Sequence, residues 1–355
     1  MADLSIDSRG LRVFRILLGT SLLLDILLRL RDFTLFYTSE GALPETALSA
    51  TSFMSLHRFI TDPWFQGILF TIQIVFACFL LIGYKPRISS AISFILLLSL
   101  HNHNPYLLNA GDVLLRALLL WAVFLPLQKK DTYSLLSGGT VAVLFQVIFF
   151  HLINAMKKVQ GELWLEGTAV TTILQLDHII TPLGRTLLTL EPILPLLNYA
   201  WLTLLLLSPL LLFLTGWKRS ALTSVFIVSH VLLGVIAHTT IMPLIVISGL
   251  LLFYPTSFWD RIETFSRTKS TPVKNVNDIG LTRKNIIILA LGLLILFSAA
   301  SGLLYGNETD LSGKIGLDQS WTMFAPNPKT NVTWFVAPIT AGNKTINGFS
   351  GEPMT

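Results

Sequence analysis

Two adjacent lysines, Lys157 and Lys158, end a long apolar run and are the residues in this chain best suited to chemistry. They are followed by the sequence Val-Gln-Gly-Glu-Leu-Trp-Leu-Glu-Gly-Thr. Neighbouring ammonium groups repel each other, and an apolar environment removes their hydration, so both effects favour a neutral amine that can act as a base. The alternative is that the pair ends a membrane helix and extends to the lipid headgroups, which is the commoner role of such lysines.

Two pairs of opposite charges lie inside apolar runs. Asp25 and Arg29 are four residues apart, as are Asp112 and Arg116, so each pair lies on one helix face where the charges can neutralise each other. Pairing matters because an unpaired charge at the bilayer centre costs about 2.5–3.5 kcal/mol. The pairs indicate either a polar cavity shared by two helices or two structural ion pairs. Arg15 has no partner at helical spacing and is expected to contact lipid headgroups.

A polar loop, 99–112, begins at the end of the third apolar run and contains His101 and His103. Their spacing suits a turn better than a metal site on a helix, and no Glu or Cys nearby completes a ligand set, so no metal is expected. The loop and the lysine pair are predicted to lie on the same side of the membrane. His103, Asn104 and Asn109 are therefore candidates to share one pocket with Lys158, although a lone histidine is more often simply hydrogen-bonded.

The composition is that of an integral membrane protein. Of the 355 residues, 52% are hydrophobic and 13% charged, and the mean hydropathy is +0.67; soluble domains have roughly a quarter charged residues. The formal charge of +5 is typical of basic cytoplasmic loops and does not indicate nucleic acid as a partner. The single cysteine, Cys78, excludes an intrachain disulfide and a cysteine metal cluster.

Apolar stretches of the length needed to cross a bilayer, about 20 residues, recur along the chain. They lie near 11–30, 65–83, 88–103, 112–127, 140–157, 193–215, 219–238, 240–255 and 285–305. A further stretch, 168–190, is too polar for a lipid-facing span. If this stretch does not cross the membrane, all the basic clusters fall on the cytoplasmic side, as the positive-inside rule requires. The sequence therefore predicts an all-α polytopic membrane helix bundle with about nine crossings, one re-entrant or interfacial helix and a cytoplasmic N-terminus.

The chain is predicted to divide into a transmembrane domain, 1–305, and a short extracytoplasmic tail, 306–355. Thr330–Pro338 alternates apolar and polar residues, and Gly342-Asn343 is a turn signal, so the tail is expected to be rich in short β-strands. Residues 256–284, rich in Ser, Thr, Lys and Arg, are predicted to form a cytoplasmic linker.

Short motifs in a fixed order cover most of the chain and together resemble the HTTM (horizontally transferred transmembrane) domain family, which is related to the membrane domain of vitamin K-dependent γ-carboxylase. The motifs are Phe14-Arg15 with Asp25 and Arg29, Phe36-Tyr37-Thr38, Ser55-Leu56-His57, Leu81-Ile82-Gly83-Tyr84, His101-Asn102-His103-Asn104-Pro105, Gly111-Asp112 with Arg116 and Trp121, Phe124-Leu125-Pro126, and 319–328.

In the carboxylase branch, a Lys-Lys pair followed by Trp-x-Glu-Gly marks the active site, and Lys157-Lys158 with Trp164-Leu165-Glu166-Gly167 is similar to it. The resemblance implies that Lys158 is the catalytic base, that Lys157 favours its neutral form, and that His103 assists. It also implies a reduced quinone of the vitamin K type as cofactor, O2 and CO2 as co-substrates, and a glutamate of a secreted peptide as the modified group. The implied pocket residues are Asn104, Asn109, Trp164 and Glu166.

Other functions remain open. The carboxylase has a large lumenal domain and a stabilising disulfide, whereas this chain is predicted to have only the tail after 305 and has one cysteine. The alternative is a non-catalytic membrane factor for maturation or export of a secreted peptide, and a third possibility is a transporter that uses the paired charges. All three place the protein in the cell membrane, with the lipid bilayer as a partner.

Overall fold

The computed structural model describes residues 4–41, 55–127, 133–265, 274–278, 282–304, 319, 321–330, 338–341 and 344–347. These residues are mostly helical, which confirms the all-α class. The described α-helices are α1 (Ser8–Arg29), α2 (Phe33–Tyr37), α3 (Pro63–Ile82), α4 (Pro86–His103), α5 (Ala110–Ala122), α6 (Gly138–Val159), α7 (Glu162–Leu165), α8 (Ala169–Leu174), α9 (Pro182–Thr186), α10 (Leu194–Leu206), α11 (Leu210–Phe213), α12 (Gly216–Ile236), α13 (Met242–Leu250), α14 (Thr256–Phe265) and α15 (Arg283–Leu304). Short 3-10 helices cover Leu30–Asp32, Leu56–Arg58, Pro105–Leu107, Leu187–Ile193 and Leu251–Phe253.

Several of these helices are long and apolar enough to cross a membrane. Within the described ranges, 4 helical units meet that test: α3, α6, the unit Pro182–Leu206, and α12. A fifth would be the pair Met242–Phe253 and Thr256–Phe265, which bends by 100°. A membrane-spanning helix bundle is thus compatible with the structure, and the full count of nine crossings stays a prediction.

The polar stretch 168–190 is not a single helix. It contains α8, a turn and α9, and α9 continues through the 3-10 helix into α10. The break has a local cause, because Thr181 Oγ1 accepts the backbone N–H of Gly184 at 3.0 Å and Pro182 occupies the first helical turn. The apolar unit that begins at Pro182 therefore starts about three helical turns before the expected boundary near 193.

Capping residues fix where the helices with candidate site residues begin. Thr140 Oγ1 accepts the backbone N–H of Ser137 at 2.9 Å, and Ser137 Oγ accepts that of Thr140 at 3.3 Å, which starts α6. Asn109 Oδ1 accepts the N–H of Gly111 at 2.7 Å, while Asp112 Oδ2 accepts that of Asn109 at 2.8 Å, which starts α5. Asn109 is thus a helix cap, and its partner Asp112 is fixed in the first turn.

The N-terminal ends of three helices meet at a small β-sheet. Strand β2 (Tyr133–Ser137) pairs antiparallel with β1 (Ile6–Asp7) and parallel with β3 (Lys274–Asp278). These strands precede α6, α1 and α15, so the three helices begin at the same end of the bundle. The sequence did not predict this sheet, and the expected linker 256–284 contains both β3 and the helix α14. The shared end matches the side on which the basic clusters were expected, although which membrane face it occupies stays a prediction.

Helix α1 packs closely against α3 in the middle of the bundle. A Cβ at Gly19 would lie 2.8 Å from the backbone nitrogen of Leu81, so only glycine allows this approach. Arg15, one turn earlier, donates from Nη1 to the carbonyls of Leu80 and Leu81, each at 2.7 Å. The guanidinium of Arg15 thus bonds to two carbonyls in the last turn of α3, and its expected contact with lipid headgroups stays a prediction.

The described part of the tail contains an antiparallel pair of strands, β4 (Pro338–Ala341) and β5 (Lys344–Asn347). The expected strand Thr330–Pro338 lies almost entirely outside the described residues, and the turn Gly342-Asn343 lies outside them. A β-rich tail thus stays a prediction.

Candidate functional site

Lys158 lies in the last turn of α6, and only 1% of its surface is exposed. Its Nζ donates a hydrogen bond to the main-chain carbonyl of Met323 at 2.5 Å. The same atom lies 4.4 Å from the ring centroid of Trp164 and 6.0 Å from that of Phe324. In the described part of the chain, no carboxylate forms a salt bridge with it. The lysine thus ends inside the protein, surrounded by aromatic rings, and does not extend outward to headgroups.

The segment that covers Lys158, residues 319 and 321–328, is here called the strap. Gln146 Nε2 donates to Gln319 Oε1 at 2.7 Å, and Asn154 Nδ2 donates to the carbonyl of Trp321 at 2.8 Å. The strap therefore contacts α6 at positions from Gln146 to Lys158. Gln146 precedes Lys158 by about 18 Å along the helix axis, so the strap reaches deep into the bundle.

Among the expected pocket residues near the lysine, Trp164 is in place and Glu166 is not. Trp164 is buried, its indole N–H donates to the carbonyl of Phe324 at 2.8 Å, and its own carbonyl accepts a hydrogen bond from Asn198 Nδ2 at 2.9 Å. Glu166 is exposed to the surroundings. Lys157 is 9% exposed and lies beside Lys158 in the same helical turn.

His103 and Asn104 belong to a second cluster of polar groups. The His103 ring lies 6.0 Å from that of His57 and 6.4 Å from that of Tyr37. Asn104 Nδ2 donates to the carbonyl of Phe36 at 3.3 Å. These contacts differ from those of Lys158, so the structure places the histidine and the lysine in separate sets of contacts. Sequence reasoning assigned no role to His57 or Tyr37, and only their place in short motifs pointed to them.

Arg29 joins the two predicted charge pairs into one network. Its Nε lies 3.0 Å from Asp25 Oδ2, and its Nη2 lies 2.7 Å from Asp112 Oδ1 on another helix. Its Nη1 also donates to the Tyr37 hydroxyl at 2.9 Å. Arg116, the expected partner of Asp112, is buried on the same helix, 3% exposed. The intrahelical Asp25–Arg29 pair is confirmed, and the structure adds a bridge between α1 and α5.

The carboxylates of this network also adjoin a buried imidazole. One ligand atom each from Asp25, His101 and Asp112 lies within 4.8 Å of the others. Neither ring nitrogen of His101 has a hydrogen-bond partner among the described atoms. This is the place in the described chain where side chains of metal-ligating type come together. The Arg29 guanidinium already contacts both carboxylates and provides positive charge there.

A pair of histidines occupies the middle of the bundle. The rings of His151 on α6 and His230 on α12 are 5.3 Å apart and nearly perpendicular. Each Nδ1 lies against a carbonyl one turn earlier in its own helix, at 2.7 Å for Val147 and 2.8 Å for Phe226. Because these bonds are local, both rings have fixed orientations. Helical spacing could not predict this pair, because the two histidines lie on different helices.

His57 provides a test of the second cluster by pH. Burial lowers the pKa of His57 to about 4, and the charge of a protonated His103 lowers it as well. The hydrogen bond from His57 Nδ1 to Gln66 Oε1 has the opposite, smaller effect. Between pH 6.5 and 4 the unfolded chain therefore binds more protons at this site. We expect acidification over this window to lower the free energy of unfolding by about 3 kcal/mol at most through His57.

The measurement is chemical unfolding at several pH values for wild type, His57→Asn, and the exposed control His178→Asn. His57→Asn should flatten the dependence between pH 6.5 and 4, and the control should keep the wild-type slope. Equal slopes for wild type and His57→Asn would contradict the prediction.

The geometry offers one site where an amine, aromatic rings and a peptide backbone meet, and a separate buried network of charges. Comparison with protein-family models, with curated proteins and with solved structures finds no match to this chain. The chemistry of Lys158 and its surroundings therefore carries the functional argument.

Proposed function

We propose that this is a multi-pass membrane protein that carries out a quinol-dependent modification of glutamate in a secreted peptide, with Lys158 as the base. The observation that carries the proposal is the environment of Lys158: a fully buried amine at the end of an apolar helix, with one carbonyl and two aromatic rings around it. Keeping such a group charged without a counter-ion is costly. We place the protein in the cell membrane, with the N-terminus cytoplasmic and the C-terminus extracytoplasmic.

The residues around Lys158 fit a flat, apolar cofactor of the quinol type. When the strap is displaced, the face of Trp164 suits a planar ring, and the Lys158 amine, no longer bonded to Met323, would accept a proton from a phenolic hydroxyl. A bound reduced quinone would supply, with O2, the strong base that removes the γ-proton of glutamate before CO2 adds. The chain's own part is to accept and hold the first proton at Lys158 Nζ, and to keep water away, because water would quench a carbanion.

The test is incubation of the purified protein in nanodiscs with labelled CO2, a reduced quinone and a glutamate-bearing peptide. We expect label in the peptide that depends on the reduced state of the quinone, because the oxidised form has no phenolic proton to give up. Samples with oxidised quinone, or without O2, are the controls. Absence of label with both vitamin K hydroquinone and menaquinol would contradict a carboxylase activity.

A second candidate is a non-catalytic factor for the maturation or export of a secreted peptide. The observation in its favour is that the strap already occupies the space around Lys158, where the lysine acts as a structural hydrogen-bond donor to Met323. In that case Lys158→Met would retain biological function if the strap stays in place, and deletion of residues 306–355 would abolish it.

A further inference from the structure

The strap is held through its main-chain carbonyls. Asn154 Nδ2 donates to the carbonyls of Trp321 and Met323, at 2.8 and 3.1 Å, and Lys158 Nζ donates to the latter at 2.5 Å. Trp164 Nε1 donates to the next carbonyl, that of Phe324, at 2.8 Å. The three donor side chains are buried, between 1% and 5% exposed. A row of fixed donors thus faces a turn of backbone, which is closed by the N–H of Ala325 donating to the carbonyl of Thr322 at 2.9 Å.

Recognition of this kind is suited to peptides. Main-chain carbonyls are present in every peptide, so donors placed to bind them give affinity that depends little on sequence, while side-chain pockets add selectivity. One such pocket is visible, since the Trp321 ring packs edge-to-face on Phe150 with 5.0 Å between centroids and is 2% exposed. The ligand that fits is therefore a peptide that forms a turn and has an aromatic anchor.

The strap adopts backbone conformations that side chains other than glycine disfavour. Trp321 has φ 46° and Phe324 has φ 54°, both in the left-handed region. Such residues persist only where their surroundings hold them. The contacts that bind the strap therefore maintain its backbone conformation. The backbone strain at Trp321 and Phe324 is released when the strap leaves.

We infer that the groove formed by Asn154, Lys158, Leu163 and Trp164 is a peptide-binding site. The strap fills it in cis, and an aromatic-bearing peptide that forms the same turn fills it in trans when the strap is displaced. Leu163 contributes its backbone N–H, which donates to Asn327 Oδ1 at 3.0 Å. The biological role of the site rests on the proposed function, because a substrate peptide bound there would lie beside the Lys158 amine. Binding itself requires no reaction.

Substitution of Gly161 is a way to displace the strap that leaves the three donor side chains unchanged. A Cβ at this position would collide with the carbonyl oxygen of Pro326 in the strap. The φ of Gly161 is −99°, which alanine adopts readily, so Gly161→Ala should displace the strap and leave the local backbone unstrained. The matched control is Gly67→Ala, where an added Cβ meets nothing within 4 Å.

The probe is a fluorescent synthetic peptide with the sequence of residues 319–325, added to full-length protein in nanodiscs, with binding measured by anisotropy. It keeps the carbonyls of Trp321, Met323 and Phe324 and ends before Pro326, so the Cβ added by Gly161→Ala does not exclude it. The tethered strap competes at an effective concentration of about 1 mM, so we expect Gly161→Ala to bind the peptide at least about tenfold more tightly than wild type or Gly67→Ala. Adding Asn154→Leu to Gly161→Ala should weaken binding by about tenfold or more. A peptide of scrambled order should bind weakly.

Reaction of Lys158 with an amine-specific reagent, located by mass spectrometry, reports the position of the strap. Lys158 should react in Gly161→Ala and be protected again by the peptide. Asn327→Ala, which removes the strap's bond to Leu163, serves as a second displaced variant should Gly161→Ala fold poorly. If neither variant binds the peptide more tightly than wild type, or if Asn154→Leu leaves binding unchanged, the inference is overturned. Binding without carboxylation would instead support the groove and contradict only the proposed reaction.

Discussion

Lys158→Ala is expected to lower the rate of quinol-dependent glutamate carboxylation by about 10²–10⁴-fold, the range associated with loss of a general base. Lys158→Arg should lower the rate to a similar extent, because a guanidinium is never deprotonated in proteins and cannot accept the proton. Arginine can still donate a hydrogen bond to the carbonyl of Met323. The arginine variant therefore separates a base from a structural donor, which the alanine variant alone does not.

Matched lysine variants complete this experiment. Lys157→Ala removes the adjacent positive charge, which favours the neutral form of Lys158. The rate should therefore fall by about tenfold, which corresponds to roughly 1.4 kcal/mol. Lys218→Ala, at an exposed position, should leave it unchanged. Rates are measured as label incorporated per folded protein, with the folded fraction taken from thermal unfolding in the same nanodiscs. Full activity of Lys158→Arg would exclude the base role.

The positions of the helices followed closely from the sequence. The apolar stretches expected near 65–83 and 140–157 correspond to helices over Pro63–Ile82 and Gly138–Val159. Such agreement is physical, because both the length of an apolar run and the capping residues at its ends are local properties of the chain. For the same reason the Asp25–Arg29 pair, set by helical spacing, was predictable.

The contacts between distant parts of the chain were not predictable in this way. Arg29 meets Asp112 across 83 positions, and Lys158 meets Met323 across 165. A periodic pattern shows which face of a helix is polar but does not show which other element will cover that face. The sheet was missed because β1 spans 2 residues and β3, with the sequence Lys-Asn-Val-Asn-Asp, has no apolar alternation.

Arg29→Leu is expected to destabilise the folded protein by about 3–5 kcal/mol, the cost of removing one partner from a buried ion pair. The side chains of Asp25 and Asp112 are only 7% and 4% exposed, and Arg29 is the cation that contacts both. Its loss leaves two carboxylates close together inside the bundle. Thermal or denaturant unfolding in detergent measures the change. The exposed control Arg31→Leu should alter stability by no more than about 0.5 kcal/mol.

A double variant decides whether the effect arises from charge. Combining Arg29→Leu with Asp112→Asn removes one of the two carboxylates that contact Arg29, so the double variant should cost less than the sum of the single variants, with a coupling of about 1–3 kcal/mol. Additive effects, or an Arg29→Leu variant as stable as Arg31→Leu, would contradict the network. Because the Tyr37 hydroxyl bonds to Arg29 and the Tyr37 ring stacks on His103, coupling would also show that the charge network positions the histidine cluster. His103 would then be positioned by ion pairs between helices, whereas Lys158 is positioned by the strap.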